Sequence, residues 1–275
     1  MEDQVALAIQ QSADAVVVPR FQALAASEIQ EKQPGDFVTI ADQECEALLE
    51  RALSSIAPGV PILGEEAASA DPELAHRLLT SERLWVVDPV DGTRAFIDGS
   101  PDFSVMVAMI ERGEATAGWI YHPMHRVMWA ARRGLGTRRN GAIMRRRPTH
   151  RKTAELHGFI KTGFMDSKTW STIESHRHGF AGTGPGPASA GFSYPSVVDE
   201  AADFVMFWRT LPWDHAPGVL IAQEAGCHVA RLDGSDYRPQ QIRSGLLAAA
   251  DQTTWAQVRD VLLPEERQPT GSSSA

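Results

Sequence analysis

Cysteine is scarce in this chain. Cys45 and Cys227 stand alone, with no spacing that builds a disulfide framework or a thiolate metal site. A reducing compartment is therefore expected. No stretch reaches the roughly 18 consecutive apolar residues that a membrane helix needs. The first ten residues carry two acids and no basic run ahead of an apolar core, so no secretory leader is visible. Internal repeats are absent as well. These absences predict a cytoplasmic protein with no membrane partner. What is present suits a large core: of 275 residues, 43% are hydrophobic and 22% charged, which argues against global disorder. The net charge of −9 hides an asymmetry, because residues 126–152 hold ten basic side chains and no acid. The acidic remainder argues against general nucleic-acid binding, and leaves one basic surface to explain.

The most informative stretch is 84–96, Leu-Trp-Val-Val-Asp-Pro-Val-Asp-Gly-Thr-Arg-Ala-Phe. A short β-branched and aromatic run ends in two carboxylates three positions apart. It reads as the end of a buried strand that Pro89 stops, since proline has no N–H to donate. The acids then occupy a turn at a strand's carboxyl end, where open α/β sheets place ligands. By itself an Asp-Gly turn is commonplace, so the rest of the chain has to decide.

Residues 3–31 read as helical, with Pro19 as a kink or division, and 28–36 as a polar loop. A second helix begins after Asp42, with Cys45, Leu48, Leu49, Ala52, Leu53 and Ile56 on one face. Asp42 also suits a helix cap. Residues 60–63 form a short strand running into Gly64-Glu65-Glu66. Strands follow at 103–110, 115–121 and 127–131, and Asn140-Gly141 marks a hairpin. In the second half, strands are expected at 155–162, 204–208, 227–232 and 246–250. Helices are expected at 167–176, 194–202, from Pro212 to Ala225, and at 253–262. Residues 179–191 read as a long loop. Alternating helices and strands with a meander give a layered α/β (α+β) architecture.

Glu65, Asp88, Asp91 and Asp214 thus share one context, the end of a strand or the start of a helix, with Asp42 as a fifth candidate. Oxygen ligands without a cysteine or a spaced histidine pair select Mg²⁺ or Mn²⁺ over zinc. Such carboxylates repel one another unless cations offset them. A pair of such ions suits displacement at a phosphate ester by an activated water, with Gly92 letting backbone approach the phosphate.

Taken in order, Thr39-Ile40-Ala41-Asp42, Gly64-Glu65-Glu66, Asp88-Pro89-Val90-Asp91-Gly92-Thr93 and Pro212-Trp213-Asp214 resemble the signature set of the inositol monophosphatase superfamily. The resemblance spans about residues 30–230. It implies an αβαβα sandwich of the inositol monophosphatase/fructose-1,6-bisphosphatase type. It implies one domain over 1–265, with a metal-site half (1–150) and a substrate half (151–265), then a disordered tail at 266–275. It further implies a Mg²⁺-dependent, lithium-sensitive phosphatase, often dimeric, with two to three metals per site. Carried over by position, Glu65, Asp88 and the Val90 carbonyl hold the first metal. Asp88, Asp91 and Asp214 hold the second, and Glu65 assists a third. Thr93 and Asp42 orient and help deprotonate water. The N–H groups of Gly92 and Thr93 bind phosphate, Ser189 and Ala190 fall where backbone contacts substrate, and Lys32 lies in a mobile metal-site loop.

The departures bear on substrate. Phe207 stands where inositol-specific members usually have a glutamate that binds hydroxyls. Ala95 replaces a frequent asparagine, Ala188 a usual glycine, and Arg138-Arg139 small and apolar residues. The expectation is a phosphomonoesterase for a small metabolite: inositol phosphate-like, histidinol phosphate or sugar phosphate. A 3′(2′),5′-bisphosphate nucleotidase is the alternative. The haloacid dehalogenase mechanism needs an acid two residues after Asp88 and meets Val90, so it is rejected. A rival of another class is a non-catalytic protein that binds an anionic partner such as RNA through residues 126–152. His215, beside Asp214, reads as either supporting that ligand or merely packed.

Overall fold

The computed structural model describes residues 1–264; the tail expected at 266–275 lies outside the described residues. Apolar residues that alternate along central strands feed different layers of the molecule. On β4 (Arg83–Asp91), Trp85 and Val87 enter one core, while Leu84 and Val86 enter another. On β5 (Ser104–Glu111) the same split separates Val105, Val107 and Met109 from Met106, Ala108 and Ile110. A strand buried on both faces shows no polar alternation, which is why these segments read as continuous apolar runs.

The first outer layer holds α1 (Glu2–Ser12) and α2 (Ile40–Ile56), whose Cys45, Leu49 and Leu53 pack on the first sheet. That sheet has seven strands in chain order, starting at β3 (Ile62–Gly64) and continuing through β4 and β5. Next come β6 (Glu114–His122), β7 (Val127–Arg132), β8 (Gly136–Arg139) and β9 (Ala142–Met144). Only the β3–β4 pair is parallel. Short helices α3 (Glu65–Ala70), α4 (Arg77–Thr80) and α5 (Thr93–Ile97) decorate its strand ends.

Two helices fill the middle layer, α7 (Ala190–Val198) and α8 (Pro212–Glu224), and share one core with both sheets. The second sheet is ordered β11 (Gly182–Gly184), β10 (His157–Lys161), β12 (Phe204–Phe207), β14 (Leu246–Ala249) and β13 (His228–Arg231). Here too the residues alternate: Val205 and Phe207 face the middle layer, Phe204 and Met206 the outer one. Helices α6 (Ser167–His176) and α9 (Gln252–Leu262) close the stack through Ile173, Trp255, Val258 and Leu262. The result is the αβαβα sandwich. Among the described residues no helix is long and apolar enough to cross a membrane.

The local readings differ in several places, among them the loop read over 179–191, which contains strand β11. The first helix stops at Ser12, widens into a π turn and then tightens into a 3₁₀ turn containing Pro19, ending at Arg20. The polar segment read as a loop is instead a hairpin, β1 (Ile29–Gln33) with β2 (Asp36–Thr39). Three of the five β1 side chains are exposed, so no apolar alternation announced it. Helix α7 begins four residues earlier than the apolar pattern suggests, because Ser189 caps it by accepting from the Phe192 N–H. It ends before Glu200, whose φ of 71° is left-handed. Lastly, Pro89 does not stop the ladder, since β4 runs on to Asp91 across an irregularity.

Glycines set how closely the middle layer packs. A Cβ on Gly118 would meet the Pro217 backbone at 3.0 Å, and one on Gly218 would fall inside the Tyr194 ring. Gly218→Ala is expected to cost about 1–3 kcal/mol through overpacking. A lower denaturant midpoint at unchanged slope would register it.

Candidate active site

Two carboxylates three residues apart on a regular strand would face opposite ways. The bulge at Pro89-Val90 corrects this. Asp88 pairs with Met106 and Asp91 with Ser104, two residues apart on β5, so both acids reach the same face. Val90 meanwhile packs into the outer core. The chain then turns through Gly92, whose φ of 92° suits only glycine, and a Cβ there would meet Ser189 at 3.2 Å. Thr93 opens α5 directly afterwards.

Asp214 arrives from the first turn of α8, with Pro212 preset at the helix start. Glu65 arrives from the first turn of α3. One carboxylate oxygen each from Glu65, Asp88 and Asp214 lie within 4.8 Å of one another. Burial raises Asp88 well above the usual carboxylate range, and the charges of Glu65, Asp91 and Asp214 push the same way. Asp214 is raised for the same reasons, and Glu65 to about 7, with burial again the leading cause. Oδ1 of Asp88 is buried with no hydrogen-bond partner. An orphaned oxygen in an all-oxygen cluster of mutually repelling acids fits a hard divalent cation.

Asp91 stands outside that trio. Its Oδ1 accepts from the Ala190 N–H at 3.1 Å. Its Oδ2 accepts from the Gly191 N–H at 2.6 Å, from Ser104 Oγ at 2.9 Å, and from Ser189 Oγ. Helix α7 therefore points its N-terminus at this carboxylate. Ser189 is fully buried and spends its hydroxyl on Asp91, while Ala190 lines the cavity above.

Thr93 Oγ1 lies 3.0 Å from both Asp42 Oδ1 and the Val90 carbonyl. The other oxygen of Asp42 accepts from the Thr39 N–H at 2.9 Å and the Thr39 hydroxyl at 2.5 Å. Asp42 thus caps α2 and contacts Thr93 at once, and burial lifts its pKa to about 6.

One neighbour went unnoticed in the sequence. Glu46, one turn beyond Asp42 on α2, accepts from the Glu66 and Ala67 N–H groups at 2.9 and 2.8 Å. It caps α3 and so fixes Glu65. A Cβ on Gly64 would collide with the Glu46 carboxylate. The helical spacing of Asp42 and Glu46 was the available signal. Lys32, on the β1–β2 hairpin, reaches Glu65 at 3.2 Å and Glu66 at 3.0 Å. Burial opposes its charge, but these acids outweigh that and hold the ammonium above its ordinary value.

Glu65, Asp88, Asp91, Thr93 and Asp214 line a cavity of about 650 Å³ whose wall also carries Lys161, Phe164, Phe207, Trp208 and Arg209. Phe207 stacks on Tyr194 with centroids 4.9 Å apart. His215 is packed and hydrogen bonded: Nδ1 lies 2.8 Å from the Tyr194 hydroxyl and Nε2 3.0 Å from the Arg209 carbonyl. Burial lowers its pKa to about 3, so it stays neutral and braces the wall. Trp85, Trp119, Trp129 and Trp213 are core residues.

The basic segment is mostly spent within the chain. Arg146 and Arg151 converge on buried Asp203, Arg147 forks onto Glu200, and Arg132 reaches Glu2. Arg139 stacks over Trp129, and Arg133 binds the Ala115 carbonyl.

Fold and cluster together define a layered sandwich protein with an all-oxygen acidic site where strand ends and helix starts meet. The chain belongs to the inositol monophosphatase family, whose pattern it matches over residues 2–263. It is 31% identical over 238 residues to the Nus factor SuhB of Vibrio cholerae, covering 82% of each chain. It is 28% identical over 213 residues to the 3′(2′),5′-bisphosphate nucleotidase CysQ of Salmonella typhimurium, covering 76% of this chain and 83% of that one. Its fold matches the crystal structure of the extragenic suppressor protein suhB from Bartonella henselae with a TM-score of 0.79. That match has 22% identity and covers 96% and 98% of the two chains.

Proposed function

We propose that this chain is a Mg²⁺-dependent phosphomonoesterase acting on a small phosphorylated metabolite. The observation that carries the reading is the Glu65–Asp88–Asp214 cluster with its orphaned Asp88 oxygen, in one cavity with Thr93, whose hydroxyl bonds to the buried Asp42 behind it. Glu65, Asp88, Asp214, Asp91 and the Val90 carbonyl would hold two to three Mg²⁺ ions. Bound there, such cations supply Lewis-acid stabilisation of the phosphoryl charge. The chain's own residues do the rest. The Thr93 hydroxyl accepts from the attacking water and donates to Asp42, whose carboxylate takes up the proton. The N–H groups of Gly92 and Thr93 would receive phosphate oxygens, and the Asp91–α7 contacts keep the bulge in shape.

A role in anion or RNA binding through residues 126–152 draws less support, because most of these arginines already have partners. Phosphate release from inositol 1-phosphate, histidinol phosphate, 3′-phosphonucleotides and sugar phosphates, with Mg²⁺ and with lithium, tests the proposal. Mg²⁺-dependent, lithium-inhibited release is expected, without strong preference for inositol 1-phosphate because Phe207 offers no hydrogen-bond acceptor. Inactivity across the panel at saturating Mg²⁺ would overturn it.

A further inference from the structure

Lys161 closes β10 and is paired in register with Phe207 at the end of β12. These are the carboxyl ends of two parallel strands, and both residues line the cavity. Among the described residues the Lys161 ammonium makes no hydrogen bond and no ion pair. It feels the charge of Asp91, but that carboxylate already accepts from Ser104, Ser189, Ala190 and Gly191. Burial pulls the amine down to about 8 in spite of Asp91. A half-buried cation without a partner is costly, and the local wall does nothing to reduce that cost. Its other lining residues here are Ile160, Thr162, Phe164, Phe207 and Trp208, with no carboxylate among them. The further cations lining the cavity are Arg94, paired with Asp98, and Arg209. The latter stacks 4.5 Å over Phe164 and lies 3.9 Å from Asp36.

We infer that Lys161 is a specificity residue that receives a second anionic group, a phosphate or a carboxylate, on the alcohol portion of the substrate. The inference rests on the proposed phosphatase reading and deepens it. The scissile phosphate would sit over the carboxylate floor, and the remainder of the molecule would lie along the aromatic wall toward Lys161. An ammonium offers three donors and no acceptor, so an anion satisfies it better than a neutral hydroxyl.

Two matched pairs decide the matter: adenosine 3′-monophosphate with adenosine 3′,5′-bisphosphate, and glycerol 2-phosphate with 2-phosphoglycerate. For at least one pair, kcat/KM should favour the doubly anionic member by about tenfold, the worth of one charge-assisted hydrogen bond. Lys161→Met should remove that advantage through KM, leaving kcat and the singly anionic member within about twofold, whereas Lys161→Arg should keep most of it. An advantage confined to the nucleotide pair identifies a phosphate, and one confined to the glycerol pair a carboxylate. No discrimination by the unaltered protein, or equal losses for both members in Lys161→Met, would overturn the inference. Turnover of the singly anionic esters reports separately on the phosphatase reading. Should no ester turn over, calorimetric affinity for the two adenosine nucleotides, with and without Lys161→Met, still decides the role of Lys161.

Discussion

Asp88→Asn is expected to abolish phosphate release while making the metal-free protein more resistant to heat. The two effects have one origin. Glu65, Asp88 and Asp214 are gathered in a buried cluster that favours their protonated forms. Glu65 is raised to about 7, so the folded protein keeps a proton that the unfolded chain releases near the ordinary glutamate pKa of about 4.3. The stability that Glu65 contributes without metal should therefore fall as pH rises through that window, and the raised Asp88 and Asp214 push in the same direction. The amide removes one of the repelling charges. At pH 8 without metal, Asp88→Asn should melt roughly 5 °C higher, corresponding to about 2 kcal/mol. Millimolar Mg²⁺ should raise the melting temperature of the unaltered protein and leave the variant unmoved. Activity should fall on the order of a thousandfold or more, the scale of losing a main electrostatic contribution to the transition state. Thermal melts at pH 5 and pH 8, with and without Mg²⁺, check the sign. A variant that melts lower at pH 8 would contradict the repulsion argument.

Thr93→Ala is expected to lower kcat by about 10²–10³-fold with little change in KM, since it removes the hydroxyl that bonds to Asp42 and that we propose hands it a proton. Metal affinity should persist, because the three clustered carboxylates remain. Thr93→Ser keeps the hydroxyl and should retain most of the rate. Steady-state kinetics on one phosphomonoester separate the cases. If the serine variant is as slow as the alanine variant, the methyl group rather than the hydroxyl matters, and the proton route is wrong.

Much of this site was legible in the linear chain because its parts are local. The apolar run before Asp88, the helix start at Pro212, and the Thr39–Asp42 cap each declare themselves within a few residues. The central strands β4, β5 and β12 were legible for the same reason, being apolar on both faces, whereas β11 falls inside the stretch read as a loop. What stayed hidden depends on contacts distant in sequence. The bulge that turns Asp88 and Asp91 to one face is defined by pairing with β5. Ser189 looked like part of a substrate surface, yet its hydroxyl is spent on Asp91, 98 positions earlier. Glu46 caps α3, and so acts beside Glu65, across a loop. The β1–β2 hairpin was missed because β1, exposed at three of its five positions, carries no hydrophobic period. Lys161 gave no signal at all, since a lone lysine at a strand end gains meaning only from the cavity it lines.

The most direct test of the central claim is phosphate release by metal-stripped protein as Mg²⁺ is titrated back, using glycerol 2-phosphate and adenosine 3′-monophosphate. The expected result is no release without the cation and a saturable rise with it, lost in Asp88→Asn and in Asp214→Asn. Release that is indifferent to Mg²⁺, or that survives both substitutions, would contradict the assignment of this carboxylate cluster as the metal-dependent catalytic centre.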